Sequence, residues 1–463
     1  MLLRVTLNAL GPLLALAALG SGCVPDFSAF TVVEDGGRDA GEAVDAGAPG
    51  LDAGWDGSVD SGVDAGFIPN RIDRPCPSIW AELPEPPPAG CGGRSVTDLA
   101  MPFVATAVAI GRADDGDVVV AYSELDGPDS GRVGTVRFQE DDPGAGAAGP
   151  SIEPVSSIGD VVGTDLRIAT DAAGVHHFAL WYRSDVGHEV QLHSLRGELF
   201  DLPIPIATGV GRAGVVDIVL DTNGQRVVAW HDDATGRNDA RRELPGGGFS
   251  RAVGLRSDGD PRLIGYGAMS LAADASGGVH AAYQWSITLA ASSPSYSPAT
   301  GEMWGTPRTL DNTAIENRTS GVGADLTMVG STAVIAYLDW REGVGEVRIA
   351  RVRGSTLMPE VTTHLMGVVV ADQPGDHPIE IATDARGWLH LLVANANDED
   401  VELLYYRQTE VGGELRWIVD EVATLRLPAE EIYIDMKIGP DRRPHIVYWD
   451  PVRAAVRYAT LRP

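Results

Sequence analysis

One motif recurs seven times along this chain, and its spacing limits the possible fold more than any other feature. Each copy is a short apolar strand, a turn closing on glycine, and a second apolar strand that usually ends in an aromatic residue. In the second copy Arg167-Ile168-Ala169 leads through Asp171-Ala172-Ala173-Gly174 to His177-Phe178-Ala179-Leu180-Trp181. In the fourth, Ser270-Leu271-Ala272 leads through Asp274-Ala275-Ser276-Gly277 to His280-Ala281-Ala282-Tyr283. The turn glycines are Gly116, Gly174, Gly224, Gly277, Gly330 and Gly387, with Arg442 in the seventh place, so the step is 50 to 58 residues. Asp-x-x-Gly is a tight-turn signature, because Asp bonds to nearby backbone N–H groups and Gly accepts positive φ.

A repeat of that length holds four short strands, the size of one blade of a β-propeller. The chain is therefore expected to be all-β, with seven four-stranded antiparallel blades. The last copy supplies three strands, ending with Ala455–Ala459, before the sequence stops at Pro463. The unassigned segment Ser95–Leu99 is the natural donor of its fourth strand, and such a closure removes exposed sheet edges. The Asp-x-x-Gly turns followed by His and an aromatic resemble the repeats of bacterial secreted β-propellers over roughly residues 95–461. That resemblance implies a fold and leaves function open, since propellers host hydrolases, lyases, lectins and scaffolds. The Ser-x-Asp-x-Gly-x-Thr-Trp box of sialidases is absent from the sequence.

The N-terminus reads as an export signal: Arg4, an apolar stretch from Leu7 to Leu19, then Gly20-Ser21-Gly22-Cys23. The apolar run is shorter than the ~20 residues a spanning helix needs, so no transmembrane helix is expected after processing. Leu19 through Cys23 resembles the lipobox of bacterial lipoproteins, which implies acylation of Cys23; Val24 after it favours the outer membrane. Expected boundaries are a signal peptide at 1–22, a lipidated acidic tether at 23–75, a Pro-rich lead-in at 76–94 and the propeller at 95–463. Between Glu34 and Gly66 nine carboxylates accompany one arginine in an Asp/Ala/Gly-rich composition that cannot offset ordering entropy. Cys76 and Cys91 are the two remaining cysteines, and an oxidising compartment would close them into a disulfide.

The net charge of −30 opposes nucleic acid and anionic lipid as partners, leaving proteins and glycans. No cofactor or metal is expected, since no Cys/His cluster, EF-hand run, Gly-x-Ser-x-Gly elbow or phosphate-binding loop is present. The position seven residues before each turn glycine reads Ala109, Arg167, Asp217, Ser270, Gly323, Glu380 and Asp435. If the first strands border a central channel, Arg167, Asp217, Ser270, Glu380 and Asp435 converge there as a candidate ligand site, or else satisfy one another. The aligned His177, His280, His390 and His445 are read as structural. The tryptophans after the second strands are read as packing, with Trp304, in an irregular insertion with Tyr296, as the expected exposed exception able to stack on a sugar. The function expected is a surface or periplasmic binding module for a protein or glycan; the alternative is a hydrolase or lyase using channel carboxylates.

Overall fold

The computed structural model describes residues 94–461, apart from 101–104, 128–129, 140–152, 159–161, 185–186, 212–214, 233–234, 256–263, 289–290, 312–319, 340–345, 355, 359–364, 367–377, 398–399, 412–413 and 427–432. Cys23, the tether, Cys76, Cys91 and Trp340 lie outside the described residues.

The strands form seven antiparallel sheets. The innermost strands are Ala105–Arg112, Val162–Thr170, Val216–Leu220, Ile264–Ala273, Ser320–Val329, Ile379–Thr383 and Ile434–Ile438, here blades 1 to 7. Each touches the innermost strand of the next blade, and that of blade 7 touches that of blade 1, so the ring closes. Six sheets run outward in chain order. In the seventh, Arg94–Ala100 pairs with Ala455–Leu461, in the register Arg94 opposite Leu461 and Asp98 opposite Arg457. Arg457 Nε reaches Asp98 Oδ1 at 2.8 Å across this seam. The seven-bladed propeller and its closure by an N-terminal strand are as the repeat predicts.

The core is divided into seven wedges, one for each pair of neighbouring blades. Blade 5 shows how the sequence builds two at once. Along Thr332–Asp339, Val334, Ala336 and Leu338 face blade 6, whereas Ala333, Ile335 and Tyr337 face blade 4. Successive side chains of a strand point to opposite faces, so a strand buried on both sides reads as a continuous apolar run.

The Asp-x-x-Gly turns behave as their chemistry predicts. Asp171 Oδ1 accepts the N–H groups of Ala173 and Val175, and Asp221, Asp274 and Asp384 repeat the pattern. The closing glycines have φ between 61° and 87°. Arg442 takes the same conformation, at φ 68°, in blade 7.

Candidate functional site

Strand register fixes which residues share one level around the channel. Ala109, Arg167, Asp217 and Ser270 lie opposite Ala121, Ala179, Ala229 and Ala282 on their second strands, and Glu380 and Asp435 lie opposite Leu392 and Val447. In blade 5 the residue at this level is Asp325, opposite Ala336, and not Gly323. The hairpin there has only Gly330 and Ser331 between paired Val329 and Thr332, so counting back seven residues overshoots by two. Gly323 serves another purpose: its φ is 62°, and a Cβ on it would lie 2.7 Å from Pro378 Cγ.

An innermost strand presents one edge with no neighbouring strand, and unpaired N–H groups on such an edge are costly where water is excluded. The acidic residues at this level answer that need. Asp217 accepts the N–H of Ile218 at 2.7 Å and that of Leu271 on blade 4 at 2.6 Å. Asp325 accepts Leu326 N–H at 2.8 Å and Ile381 N–H on blade 6 at 2.6 Å. Asp435 accepts Met436 N–H at 2.7 Å and Ile110 N–H on blade 1 at 2.9 Å. Ser270 Oγ accepts Leu326 N–H of blade 5 at 3.1 Å. Asp165, two residues before Arg167, does the same for Leu166 and for Val216 on blade 3. Each of these side chains clasps one blade to the next.

Arg167 breaks the pattern. From blade 2 it reaches Glu380 Oε1 on blade 6 at 2.9 Å and Asp435 Oδ1 on blade 7 at 3.7 Å. Lys437 Nζ meets the same Asp435 Oδ1 at 3.1 Å. Neither blade 6 nor blade 7 adjoins blade 2, so the guanidinium spans the channel. Burial alone would lower the Arg167 pKa, but Glu380, Asp435, Asp165 and Asp217 together raise it, so the cation is fixed. Burial pushes Asp217 up to about 7, against the pull of Arg167 and its two N–H donors. Burial likewise raises Glu380 well above the usual carboxylate range, with Arg167 opposing.

The predicted set of Arg167, Asp217, Ser270, Glu380 and Asp435 is thus brought to one level, where Asp325 joins it, with Asp165 and Lys437 each two residues away along their strands. What Asp217 and Ser270 hold there is backbone; Asp435 holds backbone together with Lys437 and Arg167, and Glu380 holds Arg167. Asp325 was hidden by a shorter turn whose glycine stands two residues nearer to it than in the other blades, and Asp165 by lying two residues off the repeat position.

Trp304 differs from expectation. It is 6% exposed, in the strand Met303–Trp304 against Ala299, and packs with Val227, Ala240 and Trp285 in the wedge between blades 3 and 4. Tyr296 is not in a loop; it lies in the strand Ala291–Thr300, buried, with its hydroxyl 2.6 Å from His280 Nδ1. The insertion is a regular outer part of blade 4, and its aromatics are consumed in packing. Trp181, Trp230, Trp285 and Trp449 are also buried.

Each aligned histidine joins its own blade internally. His280 sits between Asp274 of the turn and Tyr296, His390 between Asp384 and Tyr405, and His177 between Asp171 and Ser194. His445 Nδ1 meets Tyr458 OH at 2.7 Å. The Asp171–His177–Ser194 chain has the order of a catalytic triad, but Ser194 is 4% exposed and the arrangement recurs with Tyr in other blades. Recurrence in separate blades fits a brace between turn and third strand. Among the described residues no group of three or more His, Cys, Asp or Glu is arranged to hold a metal ion, and no helix is long and apolar enough to cross a membrane.

No family model matches the sequence, and no curated protein does. Among solved structures the chain is similar to polysaccharide lyase Uly1, with a TM-score of 0.46 and 10% identity over 78% of this chain and 91% of that one. It is also similar to a PL25 ulvan lyase, at TM-score 0.41 and 12% identity over 68% of this chain and 80% of that one. A third similarity is to the intramolecular trans-sialidase of Ruminococcus gnavus, at TM-score 0.39 and 11% identity over 79% of this chain and 96% of that one.

Proposed function

We propose that the chain is an exported lipoprotein, anchored through Cys23 on an acidic tether, whose propeller is a binding or interaction module for a glycan or protein. One observation carries the preference for binding over catalysis: the carboxylates that converge on the channel are already engaged. A glycosidase needs two carboxyl groups about 5 to 10 Å apart and free to face a substrate between them. Here Asp217, Asp325 and Asp435 each accept two backbone N–H groups. Glu380 is held by Arg167 at 2.9 Å. Turning any of them to acid or base work would leave an inner strand with unpaired N–H groups or Arg167 without its partner, each a costly vacancy.

The test compares the full chain, recovered from membranes, with its Cys23→Ser variant, recovered from the soluble fraction, on a panel of envelope polysaccharides and envelope proteins. Retention of a partner by both forms, with no release of reducing or unsaturated ends, is the expected result. Chain cleavage that disappears in Glu380→Gln would establish the hydrolase or lyase reading instead.

A further inference from the structure

The turns that ring one end of the channel carry a departure from the repeat that the braces and clasps do not explain. Six turns close on glycine with positive φ, and the seventh closes on Arg442 at φ 68°. An L-residue enters this region at a cost, and a retained outlier points to a use for its side chain. Arg442 is exposed, and among the described residues its guanidinium meets no carboxylate.

Its neighbourhood follows from the ring. A Cβ on Gly174 would face Ala113 of the preceding blade, one on Gly277 would face Thr222, and one on Gly387 would face Val329. By the same placement Arg442 stands over the turn of blade 6, and its charge is felt by His390 there, which burial chiefly pushes down to about 4. That blade 6 turn is itself unusual. The residue after its glycine is Trp388, partly exposed, with the Arg386 guanidinium 5.0 Å from the centre of its ring. Backbone N–H groups of both residues bond Asp384 Oδ1, which fixes the turn beneath them. Arg386 also meets no carboxylate among the described residues. Two such guanidinium groups on neighbouring turns stand out in a chain where acidic residues number 65 and basic ones 35.

A guanidinium laid on an aromatic face keeps its planar N–H edge free and pre-aimed, the geometry that takes carboxylate or sulfate in two parallel bonds. Arg386 is laid so on Trp388; with Arg442 on the adjacent turn, the two guanidinium groups suit a polymer with recurring negative charge, and the indole adds an apolar surface for a sugar ring. The overall negative charge of the protein does not forbid this, because at physiological salt fields are screened within ~8 Å and the contacting arginines dominate. We infer that the blade 6–blade 7 turns, through Arg386, Arg442 and Trp388, form a binding site for an anionic polysaccharide. This inference rests on the reading of the propeller as a binding module.

The full chain is titrated with polygalacturonate, with dextran sulfate and with neutral dextran, and compared with Arg442→Gly and Arg386→Ala. Arg442→Gly gives blade 7 the residue of the other six turns, so its fold is retained. Binding of polygalacturonate or dextran sulfate, weakened about tenfold in each variant, is expected from the loss of one charged hydrogen-bonding group. Binding of one polymer alone identifies carboxylate or sulfate as the preferred group; binding of both identifies charge alone. Equal binding of neutral dextran, or anionic binding unchanged in both variants, overturns the site while leaving the module reading intact. Failure to bind any of the three overturns it as well, and leaves that reading to protein partners and to uncharged glycans other than dextran.

Discussion

Asp274, in the turn of blade 4, and Asp217, at mid-channel on the neighbouring blade 3, both accept backbone N–H groups, yet their ionisation is driven in opposite directions. In the turn of blade 4, burial pulls Asp274 upward, but Ser276, His280 and two backbone N–H donors outweigh it and hold the carboxyl down at about 2. At mid-channel on blade 3, burial wins over Arg167 and two N–H donors and pushes Asp217 up to about 7. The turn aspartate faces donors in its own loop and open solvent. The channel aspartate stands in a desolvated ring where Asp325 adds a like charge. Both kinds are spent on structure, so position in the repeat is a guide: residues that recur in register are spoken for, and candidates for binding are those that break register, such as Arg442 and Trp388.

Arg167 is the sharpest test of that distinction, since it breaks register without being free. It is 8% exposed and holds Glu380 and Asp435 across the channel. Arg167→Ala leaves two buried carboxylates without their shared cation, a loss of about 3–5 kcal/mol by the usual cost of breaking a buried pair. Urea unfolding measures it directly. A midpoint unmoved by the substitution would remove Arg167 from the structural class and return the channel to the list of ligand sites.

A smaller effect is expected on blade 5, at the residue that counting along the sequence misplaces. Asp325→Ala removes the acceptor for Ile381 N–H, while Leu326 N–H keeps Ser270. One buried donor left unpaired corresponds to about 1–3 kcal/mol. Amide exchange should quicken at Ile381 more than at Leu326. Equal protection at both amides in the variant would mean that the clasp between blades 5 and 6 carries little.

The ring itself was legible because its blades obey one periodicity: alternating faces within strands, one turn per step, and an odd strand left over at each end. The level of polar residues was legible too, for Arg167, Asp217, Ser270, Glu380 and Asp435 share a fixed distance from their turns. What they hold was not, because the clasped partners are backbone N–H groups, which have no identity in a sequence. Asp325 was lost to a shorter turn. Trp304 was misread because an outer strand of two residues, Met303–Trp304, is too short to show alternation. Trp388 gave a signal in principle, as a large aromatic at the place after a turn glycine where other copies hold Val175, Gln225 or Gly278.

The opposed titrations give the smallest expected effect and the finest view of the two layers. Unfolded carboxylates titrate near pH 4, so between about 4 and 7 the native chain keeps a proton on Asp217 that the unfolded chain has released, and stability from this group falls as pH rises through that window; Glu380, raised by burial, acts in the same direction. Buried His193 and His390, both pushed down to about 4, act the other way: the unfolded chain binds their protons first, so their contribution grows as pH rises from about 4 to 6.5. The wild-type profile is therefore flattened by cancellation, and only a difference isolates the channel. Asp217→Asn costs a good acceptor at every pH but carries no ionisation. Relative to wild type it should recover on the order of 1 kcal/mol between pH 5 and pH 6, read from thermal unfolding at each pH. A gap that stays constant over this range would mean that Asp217 is ionised throughout, held by its two N–H donors as firmly as the turn aspartates are by theirs.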